Sequence, residues 1–442
     1  MPASLADSPL YQPLFGDDTA RFFTDSMQIR AMLLVEGALA QVQGKAGLIP
    51  QPAADHIARA AREVQIDPAA LAAETAANGV PVPALVAAFR KEMKAPEHAQ
   101  YVHWGATSQD IMDTGLALRL GKVIALWDAR LAGLLADLGR LAARHADLPM
   151  AARTYGQVAT PTAFGALVAG WGRPVLRHRQ RLQVLAPDLA LVSLSGAAGT
   201  LAAMGPEGPA LRAALAEALN LRDPGQSWHS ERDRIGAFAA WMAGLAASLG
   251  KMGEDLILLT QSGIAEVGIR GAGGSSTMPQ KQNPVGPSVL VALAHQIGAL
   301  AAAFQGAGLH RQQRDGAAWF VEWLTLPQLC ISTGAAISRA QDLMQAIQPQ
   351  PRAMARSLDD GCGTIFAEAY SFLLARQMPR PDAQARIKSL CAEARLQGQS
   401  LSDLVRRDFP DLDLSDAGGL GTAPTDARAF AAEVAALTTP DR

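Results

Sequence analysis

IGAFAAWMAGLAASLGKMGEDLILL, residues 235–259, carries apolar side chains at Ile235, Phe238, Met242, Leu245, Leu249, Met252, Leu256 and Leu259. The steps alternate between three and four. That rhythm lays one apolar seam along a helix, and a seam this long belongs to a helix packed lengthwise against others. A half-buried strand would alternate in twos instead, and this stretch does not.

The same spacing recurs from Leu116 through Leu120, Val123, Trp127, Leu131, Leu134, Leu138 and Leu141. As one helix it would span roughly 40 Å at about 1.5 Å per residue. A third long helix is expected from Val285, with Asn283 as N-cap and Pro284 at the first helical position. Residues 285–309 hold no acid, Lys or Arg and have the length of a membrane span. His295, Gln296 and Gln305 interrupt the run, however, and a helix apolar all round also fills the centre of a large bundle, which is the placement expected here. Shorter helical pieces read at 25–48, 53–63 and 67–90, broken by GVPVP at 79–83. Beyond 350, Pro379 and Pro381 separate two helices, and 411–425 reads as loop. No paired strands are expected. The expected fold is all-α in three domains: a helical N-terminal domain over 1–105, a central bundle of long helices over 106–350, and a helical C-terminal domain over 351–442.

At 442 residues the chain exceeds the size at which one core keeps growing. Its formal charge is -2 with no basic block, so neither nucleic acid nor an acidic membrane surface is an expected partner. A small polyanionic substrate would have to be gripped by a few placed cations. Cys330, Cys362 and Cys391 lie far apart with no CxxC, the pattern of a reduced, cytoplasmic protein. The N-terminus lacks the basic start and apolar core of a signal peptide.

Five polar clusters interrupt the helical rhythm. GAGGSSTMPQKQNP, 271–284, has one cation, Lys281, and no acid, and it runs into a helix whose free N–H groups favour an anion. YVHWGATSQDIMDT, 101–114, sets His103, Thr107, Ser108, Gln109 and Asp110 before a long helix, where capping alone would explain the Ser and Asp. RTYGQVATPT, 153–162, reads as a turn into an apolar helix, and WHSERDR, 228–234, as the charged start of the 235–259 seam. HRQQRDGAAWFVEW, 310–323, puts cations beside aromatics. There is no HExxH, GxSxG, GxGxxG, Walker motif or Cys/His ligand spacing, so no metal or nucleotide cofactor is expected.

GSSTMPQKQNP resembles the signature loop of the fumarase/aspartase superfamily, GSSxMPxKxNP, at every fixed position. HWGATSQD and RTYGQVATP resemble that superfamily's first and second segments, in the same order. The resemblance implies a homotetramer built on a central helical bundle, each site drawing one motif from each of three subunits. It makes Ser275 the catalytic serine, Lys281 and Asn283 carboxylate-binding groups, and His103 a site histidine. Thr107, Ser108, Gln109, Thr154 and Gln157 become hydrogen-bonding groups, Arg314 a substrate arginine, and His229 a further candidate.

Within the superfamily the chain most resembles the branch that lactonises 3-carboxy-cis,cis-muconate in aromatic catabolism. Tyr155 is the telling residue. Adenylosuccinate and argininosuccinate lyases carry an acid–base histidine there, whereas the cycloisomerases commonly have an aromatic side chain, here a substrate-lining one. Gln280 departs from the histidine frequent in that branch. Two alternatives stay open: an adenylosuccinate lyase-like β-eliminating enzyme, and a non-catalytic structural helical bundle.

Overall fold

The computed structural model describes residues 8–438. The fold is all-α, and the seams read from the sequence are its long helices: Ser108–Arg144, Phe164–Leu189, Asp233–Leu259, Val285–Phe304 and Gly316–Ala346. The helix that starts at Ser108 runs for 37 residues, or about 55 Å.

Three short antiparallel pairs were not expected. The largest joins Pro149–Thr154 to Gln157–Ala163 through the two-residue turn Tyr155-Gly156. Both turn residues have positive φ, 51° and 75°, as a type I′ hairpin turn requires. Tyr-Gly is a weak signature for that turn, and Pro161 inside the second strand argues against a strand when read alone. The segment expected to be a simple turn into a helix is therefore a hairpin. Asn283 is not an N-cap either. It pairs with Gly273, as Gln282 does with Gly274, and the Pro284 carbonyl accepts the first helical bond, from Ser288 N at 3.0 Å.

The chain divides into two compact units. In the first (Met1–Leu131, Arg177–Ala247, Ala292–Ser338), the helix Asp25–Lys45 lies close against Gln51–Glu63. The contact is tight enough that a Cβ on Gly44 would sit 2.4 Å from that of Ala54. The rings of Trp127, Phe238 and Trp241 stack with centroids 5.7–5.9 Å apart. Trp127 satisfies its indole N–H on Thr19 Oγ1 at 3.0 Å.

In the second unit (Ala132–Leu176, Ser248–Val291, Arg339–Arg442), Leu374, Ile387, Leu390, Leu401, Leu404 and Val405 anchor a C-terminal core. The hairpin is tied down by Arg153, whose two terminal nitrogens donate to both oxygens of buried Glu266 at 2.9 and 2.7 Å.

Two helices, Asp233–Leu259 and Val285–Gly308, are long and apolar enough to cross a bilayer. Of the second's most apolar window only 39% is buried within the chain, against 56% for the first.

Gly165 tests the closeness of packing in the second unit. Its N–H donates to His145 O at 2.9 Å, and a Cβ there would lie 2.4 Å from the Ala142 carbonyl oxygen and 2.7 Å from Ala146 Cα. Both obstacles are backbone. Gly165→Ala should therefore destabilise by about 1–3 kcal/mol through overpacking. Chemical denaturation measures this, and an unchanged midpoint would show the helices free to separate.

Candidate active site

In the first unit the polar groups of segment 101–114 converge on Asp110 at the start of the long helix. Its Oδ2 accepts from the N–H groups of Thr107 at 3.0 Å and Gly196 at 2.9 Å. Its Oδ1 accepts from Ser195 N and His229 Nε2, each at 2.8 Å. The Thr107 bond is a helix cap, as the bland reading of the sequence had it. The other three fix a loop and a histidine that lie far away in sequence. A carboxylate that holds Nε2–H leaves His229 Nδ1 as an acceptor, and Arg314 Nη2 lies 3.5 Å from it.

Gln109 is buried and fully engaged. Its Nε2 donates to Asp113 Oδ2 at 3.1 Å and to the His229 carbonyl at 2.8 Å, while its Oε1 accepts from Arg314 Nε at 2.7 Å. Arg314 is half-buried and immediately precedes Asp315, whose Oδ1 caps the next long helix at Ala317 N and Ala318 N. Its guanidinium is therefore aimed from both ends. Thr107 and Ser108 are half-buried, and among the described residues no hydrogen bond engages their hydroxyls.

His103 sits at φ 64°, a left-handed conformation uncommon outside glycine. Its Nδ1 lies 2.7 Å from Glu36 Oε1. Burial pulls the imidazole pKa down, but the charge and hydrogen bond of Glu36, helped by Asp110 and opposed by Arg90, leave it above its ordinary value.

Beneath these groups lies a buried ion triad. Arg232 is fully buried and donates to both oxygens of Asp113 at 2.8 and 3.1 Å and to both of Glu322 at 2.8 and 2.6 Å. Burial alone would strip the guanidinium of its proton more readily, yet the two carboxylates hold its pKa above the usual arginine range.

The second unit holds the remaining sequence candidates. The loop after 273 leaves and returns through the Gly273–Asn283 and Gly274–Gln282 pairs. Within it, Ser275 Oγ accepts from Met278 N at 3.1 Å and Thr277 N at 3.4 Å. Two N–H groups aimed at one hydroxyl oxygen favour charge on that oxygen. Lys281 is exposed, with no ion pair among the described residues. Asn283 Nδ2 reaches the Gly274 carbonyl at 3.5 Å. Thr154, Tyr155 and Gln157 stand at the hairpin tip, where Tyr155 is 105% exposed. Among the described residues no hydrogen bond joins that tip to the loop.

So His103, Thr107, Ser108, Gln109, His229 and Arg314 share the first unit, and Thr154, Tyr155, Gln157, Ser275, Lys281 and Asn283 the second.

The sequence profile described as "Lyase" matches residues 12–298, well over half of the chain. The chain belongs to this lyase family. It is a member of the fumarase/aspartase superfamily, as its signature loop suggested. It is 40% identical over 384 residues to the 3-carboxy-cis,cis-muconate cycloisomerase of Pseudomonas aeruginosa, covering 86% of this chain and 84% of that one. The Pseudomonas putida protein of the same name is 40% identical over 391 residues, 87% of this chain and 93% of the relative. Among solved structures, a 3-carboxy-cis,cis-muconate lactonizing enzyme from Pseudomonas putida superposes with a TM-score of 0.91. It is 36% identical and matches 98% of this chain and 100% of its own.

For this lyase, reading the sequence missed Glu36, Asp113 and the bracing role of Arg232 and Glu322. Glu36 did leave a signal, a lone acid within the apolar run MLLVEGALA. Asp113 left another, one turn after Gln109 on the same helix face.

The triad predicts a large stability effect. Arg232→Met strands two buried carboxylates, which should cost about 3–5 kcal/mol. Urea unfolding at fixed protein concentration reads the loss, and a wild-type midpoint would mean that water reaches Asp113 and Glu322.

Proposed function

We propose that the protein is a cycloisomerase that closes 3-carboxy-cis,cis-muconate to a carboxymuconolactone in protocatechuate catabolism. The observation that carries this reading is the hairpin tip Thr154-Tyr155-Gly156-Gln157. The lyases of the superfamily that release an amine carry an acid–base histidine at this place, and here stands a tyrosine. The names of the relatives support the same substrate.

In lactonisation one carboxylate oxygen of the substrate adds to a carbon of its own diene. The C–O bond forms as the π pair shifts toward a neighbouring carboxylate, giving an aci-carboxylate dianion, and a proton then adds to the adjacent carbon. Nucleophile and electrophile are one molecule, so the protein has to hold them together, which supplies much of the barrier lowering. No leaving amine requires protonation. The remaining burden is the dianion, met by donors and cations already in place.

Each group then has a task. Ser275, its oxygen backed by two N–H groups, passes the proton at carbon. Lys281 and Asn283 clamp a carboxylate from the loop, and His103, Thr107, Ser108 and Arg314 bind the others. Gln109 and His229 hold Arg314 in place rather than meeting the substrate themselves. Thr154, Tyr155 and Gln157 complete the wall.

We further propose a cytoplasmic homotetramer in which three chains furnish each site. Tyr155 on a stiff, fully exposed tip suits insertion into another copy. The thinly covered helix Val285–Gly308 suits burial against copies of itself. Its exposed positions include Ala292, Ala299, Ala302 and Ala303, small residues that allow close helix approach.

Wild-type protein should remove the diene absorbance of 3-carboxy-cis,cis-muconate and leave adenylosuccinate untouched. Ser275→Ala should fold normally and lose about 10²–10⁴-fold in turnover, the range for a positioned acid–base group. Cleavage of adenylosuccinate, or near-normal turnover by folded Ser275→Ala, would overturn the assignment.

The shared site has its own test. Inactive Ser275→Ala and inactive Thr107→Ala/Ser108→Ala chains, unfolded together and refolded, should regain part of the activity. Some sites in the hybrids then carry neither lesion. Proven hybrids that stay inactive would place all the groups of a site on one chain.

A further inference from the structure

Glu36 lies in the middle of the helix Asp25–Lys45, among Met32, Leu33, Val35, Leu39 and Ala40 of the first unit's core. Its side chain is 1% exposed. One oxygen, Oε1, meets His103 Nδ1 at 2.7 Å, and the other, Oε2, is buried with no hydrogen-bond partner. Asp110, by contrast, has four donors. A leucine would pack at this place without the penalty of burying a carboxylate. The one polar contact that Glu36 makes must therefore account for its presence.

That contact meets a second unfavourable feature. His103 holds a positive φ of 64°, which a side-chain-bearing residue adopts at a cost unless its surroundings impose it. The same helix imposes it twice. Gln43, two turns beyond Glu36, donates from Nε2 to the carbonyl of Trp104 at 2.7 Å. Glu36 and Gln43 thus grip consecutive residues, one by the ring and one by the backbone.

We propose that Glu36 is a positioning residue for the reaction: it keeps the proton of His103 on Nδ1 and so presents Nε2 as the one ring nitrogen open to substrate. The inference rests on His103 acting at the proposed site. A ring so held, with a negative oxygen behind it, carries a second proton on Nε2 more readily. As imidazolium it donates from Nε2 to a substrate carboxylate and adds a cation to those of Arg314 and Lys281. The charged groups recorded around the ring are Glu36 and Asp110, which favour this state, and Arg90, which opposes it.

The sign of the linkage gives a test independent of substrate. Because the folded pKa of His103 lies above its ordinary 6.5, the stability that Glu36 contributes is fully present below that value. It is lost as pH rises through the higher folded one. The stability difference between wild type and Glu36→Gln should thus be largest below 6.5 while Glu36 is ionised, and shrink as pH rises through the folded pKa of His103. In a His103→Gln background the change across that window should disappear. An uncharged packing role would give a constant difference in both backgrounds.

Kinetics supply the second arm. In Glu36→Gln the neutral amide can donate to Nδ1 as well as accept from it, so the tautomer is no longer fixed. The pH midpoint of kcat/KM for 3-carboxy-cis,cis-muconate should then fall, with KM rising more than kcat falls. Glu36→Asp, which keeps the charge, should restore part of the midpoint. It also serves as the comparison should the glutamine variant fold poorly.

Folded variants with a wild-type midpoint, or a constant stability difference, would overturn the role of Glu36. Wild type inert on the muconate, with the pH-linked stability intact, would instead overturn the function proposed for the site.

Discussion

Asp110 is the constraint on which the first unit's polar architecture depends. Its carboxylate accepts four hydrogen bonds from three separate parts of the chain: the helix start at Thr107, the loop at Ser195 and Gly196, and His229. An ionised acceptor makes each of these bonds stronger than its neutral counterpart. Removing it would leave buried donors unpaired, the expensive outcome for any polar group away from water. The placement of Arg314 follows in turn, because Gln109 next to Asp110 holds its Nε and His229 lies beside its Nη2.

The polar residues consequently fall into two kinds. Asp110, Gln109, His229, Asp113, Arg232 and Glu322 are buried and spend their hydrogen bonds within the first unit, on one another and on nearby backbone. Thr107, Ser108, Lys281, Thr154, Tyr155 and Gln157 keep their functional groups free of partners among the described residues. The first kind is a scaffold whose precision comes from desolvation, since a misplaced charge there is severely penalised. The second kind is what a ligand or another chain can still meet. A site assembled on rigid helices and braced from behind holds its geometry better than one carried by loops alone. The stretch 275–281 and the hairpin tip at 154–157 lie off the helices.

The all-α class was legible because apolar spacing of three and four repeats over whole helices, and no competing period fits. The hairpin was not. Its strands are short, Pro161 lies in one of them, and its turn is Tyr-Gly rather than Asn-Gly, so the pairing appears only once both strands are placed. Asn283 misled in another way: Asn-Pro before an apolar run reads as a cap, but here it closes the base of the loop. For the site, each motif was visible as a cluster, while its partners lay far along the chain. Glu36 is 67 residues from His103, and His229 is 119 from Asp110. Spacing within a helix can reveal neighbours at three or four residues. It carries no information about which distant segment packs on top.

The chemistry proposed explains why so plain a set of groups suffices. An eliminating lyase must expel its leaving group, and an amine leaves only with a proton. A carboxylate leaves, or adds, without one. The acid at the hairpin tip is then dispensable, and position 155 is free to hold an aromatic ring at a stiff turn. Holding the internal nucleophile beside its target can supply about 7–11 kcal/mol of barrier lowering. The dianion is left as the main cost. In a chain of net charge -2 it cannot be met by a broadly positive surface. In the function proposed, Arg314, Lys281 and a protonated His103 are the local groups offered for it, with helix N-termini at Ser108 and Val285 adding aligned N–H groups. An imidazolium is a cation that can be lost near neutral pH. The buried carboxylate behind it thus bears on whether the proposed site carries that positive charge.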